Sequence, residues 1–337
     1  MSPSVGPVTL MELTSGVYAF KALAMATELD VFTELSNGGR TTTTTFADRH
    51  RIALRPAELL LTACTALGLL RRDAEGFYSN TQMSEEYLVR GRPYYFGDWV
   101  MVVDRHEYPA YLKLADSLRG NHPATWDVEL QESLFDPAVA EYFWEGMYSL
   151  SANTARLLAD AFDFRAINRL LDVGGGGAAF GIELCRRYFD LQVTVFDLPF
   201  VCDLTRPRIA RAGLEGRIGL AGGDFFADTL PTGHDALLLS NILHDWDEAD
   251  VLRIIRVCAD AIPPGGRLLI CESFVADDKA GPPLAALMSF NMLVETWGRN
   301  YTAAEYSTWL SEAGLHPEGV TAFEGPGANG VLIARKP

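Results

Sequence analysis

The chain has 337 residues, enough for about two domains at roughly 100–200 residues each. Its composition, 48% hydrophobic and 21% charged, is that of a globular protein whose core needs no disulfide or metal staple. A formal net charge of −16, from 44 acids against 28 bases, excludes nucleic acid as the main partner and disfavours an anionic membrane surface. Five cysteines without CxxC spacing predict reduced, buried thiols rather than a disulfide framework or zinc site. The start of the chain lacks a charged segment followed by an apolar run, and no stretch of about 18 apolar residues occurs. The expectation is a cytoplasmic protein with no membrane span.

From Leu10 to about Leu35 apolar residues recur at helical spacing, with Leu13, Val17, Phe20, Leu23, Ala24 and Ala26 in one stripe, until Asn37-Gly38-Gly39 stops the helix. Thr41–Thr45 reads as a loop. A second helix covers Arg55–Leu70, with Leu59, Leu60, Ala63, Leu67 and Leu70 on one face. A hairpin follows around Glu75-Gly76. Helix, helix and small wing suggest a winged-helix arrangement. Arg49, Arg51, Arg55, Arg71 and Arg72 lie there, but so do Glu58, Asp73, Glu75, Glu85 and Glu86, which favours packing or dimerisation over DNA binding.

Residues 94–158 are rich in aromatics, among them Trp99, Tyr108, Tyr111, Trp126, Phe135, Phe143, Trp144 and Tyr148. Most read as helix–helix core, and some as the lining of an aromatic pocket. After Asn168 the pattern changes to strands alternating with helices: 169–173, 192–196, 236–240, 267–271 and 330–334 are the predicted strands. That alternation predicts a parallel, doubly wound sheet, on which ligands sit beyond the carboxyl ends of the strands.

The residues after those strands carry the chemistry. Asp172-Val173-Gly174-Gly175-Gly176-Gly177 ends the first strand and opens a helix, and no Lys-Ser/Thr follows, so it is not a P-loop. Asp197, closing the second strand, can accept both hydroxyls of a ribose. In Gly222-Gly223-Asp224-Phe225-Phe226, an acid can take an adenine amino group while a Phe covers the ring. Together these favour a nucleoside cofactor. His244, in Leu243-His244-Asp245-Trp246-Asp247 after the third of these strands, is placed to act as a base. An imidazole, with pKa near 6.5, can accept a proton at neutral pH.

These blocks, with Phe196-Asp197-Leu198-Pro199 and Pro264-Gly265-Gly266, occur in the order seen in S-adenosylmethionine-dependent O-methyltransferases. Over nearly its whole length the chain resembles the plant caffeate/flavonoid type and its bacterial natural-product relatives. The resemblance implies an α/β fold. A winged-helix-like, mainly helical dimerisation domain (1–100) precedes a Rossmann-like, doubly wound methyltransferase domain (101–337) with a helical linker at about 101–160. It also implies a homodimer. Asp172, Gly174, Gly176, Asp197, Leu198, Asp224, Phe225 and Ser240 would hold the cofactor, with Met147 and Ser151. Phe143, Met147, Met292 and Glu295 would meet a small aromatic substrate. Glu272 would orient His244.

Three departures from the family pattern stand out. Ala178 occupies a glycine position, where its methyl is expected to crowd the loop and weaken cofactor binding. Asn300 replaces a second catalytic glutamate; it can orient an imidazole but cannot balance its charge. Glu295 brings an acid where relatives carry an apolar or amide residue, so it takes over the missing charge, grips a polar substrate group, or is an exposed helix-end residue. The principal reading is O-methylation of a phenol. Methylation at carbon or nitrogen, a non-methylating relative, and a cofactor-sensing DNA-binding regulator are the alternatives. No metal is expected, since His244 and Glu295 alone make an incomplete site.

Overall fold

The computed structural model describes residues 6–125 and 137–337, the side chains of 137–141 excepted. Trp126 and Phe135 lie outside the described residues. The chain divides into two units, Met1–His106 and Glu107–Pro337, each with its own core. The longer helices are numbered α1 to α9 below.

The first unit opens with α1 (Val8–Glu28), which ends where Asp30 turns left-handed at φ 57° and a short helix, Val31–Glu34, begins. Only the C-terminal half of α1 is buried, through Ala24, Ala26 and Thr27, while Leu13 and Tyr18 are more than 70% exposed. The threonine run is not a loop. Thr42 is the N-cap of α2 (Thr43–His50), its hydroxyl accepting from the Thr45 N–H at 3.2 Å, so the following threonines form the first helical turn. In α3 (Leu54–Ala66) the buried stripe is Ala57, Leu61 and Cys64; Leu59 and Leu67 of the expected face are exposed. Leu60, Ala63 and Leu70 of that face are buried or half-buried, so the inward stripe is displaced around the helix rather than lost, because apolar residues cover more than half of its circumference. The wing is an antiparallel pair, β1 (Leu70–Arg72) and β2 (Tyr78–Asn80). Asp73 Oδ1 closes its turn by accepting from the N–H groups of Glu75 and Phe77.

The second unit contains α4 (Pro137–Ala161) and a seven-stranded sheet: β3 (Arg169–Val173), β4 (Gln192–Asp197), β5 (Ile218–Gly222), β6 (Ala236–Ser240), β7 (Arg267–Glu272), β8 (His316–Ala322) and β9 (Gly330–Arg335). The order is β5-β4-β3-β6-β7-β9-β8, parallel except for β9, which runs antiparallel to both neighbours. The sheet's continuous apolar strands are covered on both faces. Leu170 and Leu238 meet α4, α5 (Ala179–Arg187) and α6 (Pro199–Ala212) on one side. Leu171 and Leu237 meet α7 (Glu248–Ala261) and α9 (Ala303–Glu312) on the other. Leu238 is fully buried, so truncation to alanine there would cost about 2–5 kcal/mol. The edge strand β8 was not anticipated; it contains Pro317, Glu318 and Gly319, and all seven of its residues are exposed or half-buried.

In this order β3 and β6 lie side by side at the sheet's centre, with β4 leading one way and β7 the other. That reversal opens a crevice at the carboxyl ends of β3 and β6, where a ligand can reach the loops of both halves.

Candidate active site

The glycine loop begins at the carboxyl end of β3. Gly174 and Gly176 have φ of +71° and +50°, backbone that L-residues rarely adopt. A methyl on Gly175 would come within 2.6 Å of the Asp172 carboxyl carbon, whereas one on Gly176 would meet the Trp144 ring at 3.8 Å and nothing nearer. The loop therefore packs down over Asp172 and is open at Gly176. Asp197, at the end of the neighbouring β4, accepts the Gly176 N–H through Oδ2 at 2.8 Å and the Leu198 N–H through Oδ1 at 2.7 Å. The Leu198 side chain is itself 42% exposed.

Asp172 is buried, and its Oδ2 has no hydrogen-bond partner among the described residues. Burial lifts its pKa to about 7, with the nearby Asp197 charge adding to the shift. Burial likewise raises Asp197, against the two N–H groups that stabilise its charge. An orphaned buried acid beneath an open glycine loop fits a site that is completed by a ligand bearing hydrogen-bond donors.

Ala178 follows the loop at φ 61° and is fully buried in the core. Contrary to expectation, its methyl group packs into that core. The departure from glycine costs backbone energy, about 1–2 kcal/mol for a left-handed L-residue.

Further along the sheet edge, Asp224 Oδ1 accepts from the Phe226 N–H at 2.8 Å. Phe225 stands edge-on to Phe226 and Trp246, at ring separations of 4.8 and 5.9 Å. Ser240, ending β6, lies opposite Cys271 of β7, and its buried hydroxyl has no hydrogen-bond partner among the described residues. On α4, Trp144 and Tyr148 lie one turn apart on a common face and approach Gly176 and Gly177 respectively. Phe143, Met147 and Ser151 on the same helix are half-buried.

His244 lies in a single turn, Leu243–Asp245, immediately beyond β6. Its Nδ1 is 2.6 Å from Glu272 Oε2 at the end of β7. Glu272 Oε1 accepts the N–H groups of Ile242 and Leu243 at 3.1 and 3.0 Å, so one buried carboxylate fixes both the ring and the turn that carries it. His244 Nε2 lies 3.5 Å from Asp245 Oδ1. Burial alone would lower the imidazole pKa, but the charges of Glu272 and then Asp245 outweigh it and lift it to about 9. Burial lifts Asp245 itself to about 6, with Glu272 and Glu295 adding to the shift and His244 opposing it.

Asn300 does not take the orienting position expected of it. Its amide donates to the Ser273 carbonyl at 2.9 Å, and its buried Oδ1 has no partner among the described residues. Glu295 ends α8 (Pro283–Glu295) half-buried, not exposed, and its charge acts on both Asp245 and Tyr111. Met292, on the same helix, is buried, with its sulfur 3.5 Å from the Thr296 hydroxyl. Among the described residues no three His, Cys, Asp or Glu side chains gather as a metal site requires.

Several site neighbours escaped the sequence reading. Trp144 and Tyr148, named only among the aromatics of the middle segment, share a helical spacing with Ser151 that could have marked them as one face. Asn241, left-handed at φ 54° with a buried, unpartnered Oδ1, follows β6 and could have been flagged by position alone. Arg208 stacks on Tyr148 at 4.2 Å, pairs with Glu145 and sits against Gly177. Tyr111 donates to Asn291 Oδ1 at 2.7 Å. Arg208 has no sequence signal, and Tyr111 had only its place in the aromatic segment.

Comparison with known proteins agrees with this geometry. Residues 113–316 match the O-methyltransferase domain family, and residues 11–90 the O-methyltransferase dimerisation domain family. The chain is 48% identical to the 3-hydroxy-5-methyl-1-naphthoate 3-O-methyltransferase of Streptomyces sahachiroi, over 98% of this chain and 95% of that one. It is 32% identical to the tetracenomycin polyketide synthesis 8-O-methyl transferase of Streptomyces glaucescens, over 98% and 97%. The crystal structure of human N-acetylserotonin methyltransferase in complex with S-adenosylmethionine superimposes with a TM-score of 0.86 at 28% identity, over 100% and 99% of the two chains. The chain therefore belongs to the S-adenosylmethionine-dependent O-methyltransferases, enzymes with a helical dimerisation domain ahead of a mostly parallel α/β catalytic domain.

Proposed function

We propose that this enzyme methylates a phenolic hydroxyl of a small aromatic metabolite, with His244 as the general base. The observation that carries the proposal is the 2.6 Å contact between His244 Nδ1 and the buried Glu272 carboxylate, at the strand ends beside the glycine loop. Glu272 holds the proton on Nδ1, which leaves Nε2 to receive the phenolic proton. The imidazolium so formed is balanced by Glu272. The bound cofactor supplies an electrophilic methyl group on a sulfonium centre.

Asp197 would accept the ribose hydroxyls, Asp224 and Phe225 would hold the adenine, and Asp172, Gly174, Gly176, Ser240, Met147 and Ser151 would surround the remainder. Phe143, Met147, Met292 and Glu295 would contact the acceptor, with Glu295 accepting a second polar hydrogen of the substrate. The similarity to a hydroxynaphthoate methyltransferase makes a fused-ring phenol the first acceptor class to examine. The dimerisation domain and the exposed apolar residues of α1 support a homodimer, and five buried cysteines without a disulfide support a cytoplasmic enzyme.

The test is methyl transfer to a panel of phenols by the native chain and by His244→Ala. The expected product is a methyl ether, with turnover in the variant reduced by at least about a hundredfold. Near-normal turnover of His244→Ala at pH 7 would sink the base assignment.

A further inference from the structure

Residues 298–301 follow α8 and meet the chain beside both members of the catalytic pair: the main chain of His244–Trp246 on one side, and Ser273 and Val275, just beyond Glu272, on the other. Gly298 lies against the main chain of His244–Trp246. A side-chain carbon there would collide with the His244 carbonyl oxygen and come within 2.5 Å of the Trp246 nitrogen. Tyr301, almost fully buried, donates its hydroxyl to the Trp246 carbonyl at 2.7 Å. On the Glu272 side, the Asn300 amide donates to the Ser273 carbonyl at 2.9 Å, and the Val275 N–H donates to the Tyr301 carbonyl at 3.2 Å. Three of these four residues, Gly298, Asn300 and Tyr301, thus grip the chain within two residues of His244 and within three of Glu272.

We propose that Gly298–Tyr301 is a brace that sets the separation of His244 and Glu272, with Gly298 and Tyr301 as positioning residues for methyl transfer. The inference rests on His244 being the base. His244 and Glu272 belong to different strand ends, and the loop carrying His244 is one turn long. The Trp246 carbonyl is the point at which that turn leaves toward α7, so fixing it limits how far the turn can rotate. The ring of Tyr301 is locked edge-on against Tyr306 and Trp309, at 5.6 and 4.9 Å, which makes its hydroxyl a rigid anchor. Removing that hydroxyl leaves the Trp246 carbonyl without its donor, and the turn relaxes to find another.

Tyr306 provides the matching comparison. It is fully buried in the same aromatic cluster, and its hydroxyl has no partner among the described residues. Tyr301→Phe and Tyr306→Phe therefore perturb packing alike, but only the first removes the brace. In the full chain, Tyr301→Phe should lower kcat about tenfold or more. It should also shift the kcat–pH profile toward that of His244→Ala, with S-adenosylmethionine Kd changed by less than about threefold. Tyr306→Phe should retain native kcat and pH profile. Gly298→Ala, which pushes on the same turn from its main-chain side, should give the Tyr301→Phe signature.

A native kcat and pH profile in folded Tyr301→Phe, or in folded Gly298→Ala, overturns the brace. Equal losses in the two Tyr→Phe variants overturn it too, because they would trace to cluster packing. Rapid turnover by His244→Ala overturns the base assignment itself, whatever the tyrosine variants do, so the two failures are distinguishable.

Discussion

Glu272 holds His244 with one carboxylate oxygen, at 2.6 Å from Nδ1, and the turn that carries His244 with the other, through the Ile242 and Leu243 N–H groups. Its charge also counters the effect of burial on the imidazole, whose pKa rises to about 9. In the cofactor-free protein, His244 is therefore largely protonated at pH 7 and becomes a base as the pH rises toward 9. Titration of its ring protons by NMR should find that midpoint. A cationic cofactor bound nearby should lower it. Glu272→Gln removes the carboxylate, so the midpoint should move down by at least about one pH unit while the plateau rate falls by about a hundredfold. An unchanged midpoint would place the origin of the shift elsewhere.

Asp197→Ala should weaken S-adenosylmethionine binding by about ten- to a hundredfold, the equivalent of roughly 1.5–3 kcal/mol for charge-assisted hydrogen bonds. The substitution also frees the Gly176 N–H that Asp197 now holds. Calorimetry on the folded variant decides the point, and a native Kd would remove Asp197 from the cofactor site.

Asp172 carries its cost in the cofactor-free state. Its pKa moves from 3.8 when exposed to about 7 when folded, so its contribution to stability is fully present below about pH 4 and is lost as the pH rises through 7. Asp172→Asn removes the buried charge. The variant should melt higher than the native chain at pH 8, by at most roughly 4 kcal/mol, with the gain vanishing near pH 4. Thermal melts across that range are the measurement, and a gain that did not depend on pH would contradict the assignment.

Glu295→Gln should raise KM for an acceptor with a second hydroxyl by about tenfold and leave kcat within about threefold, as expected for a lost charge-assisted hydrogen bond in the ground state. A fall in kcat at constant KM would instead give Glu295 the charge-balancing role that Asn300 lacks. Steady-state kinetics of this variant separates the two.

Much of the catalytic domain could be read from local sequence. A strand running into Gly174–Gly177, an acid ending the next strand and a histidine one turn beyond β6 are each encoded within about ten residues, because backbone conformation and strand-end placement are local properties. The α3 helix was equally legible as a helix, but not its inward face. Spacing defines stripes, and only packing chose Ala57, Leu61 and Cys64 over Leu59 and Leu67. β8 was hidden because a mostly exposed edge strand containing proline and glycine has little apolar alternation to detect.

The site's finer chemistry lay further from the sequence. That Asn300 reaches Ser273 rather than the imidazole, that Glu295 acts on Asp245, and that Arg208 lies against Gly177 depend on residues 27 to 50 positions apart along the chain or on packing between separate helices. Side-chain identity told what each group can donate or accept. Which partner it meets, and how far burial moves its charge, depended on the tertiary structure, because desolvation and close packing arise only when distant segments come together.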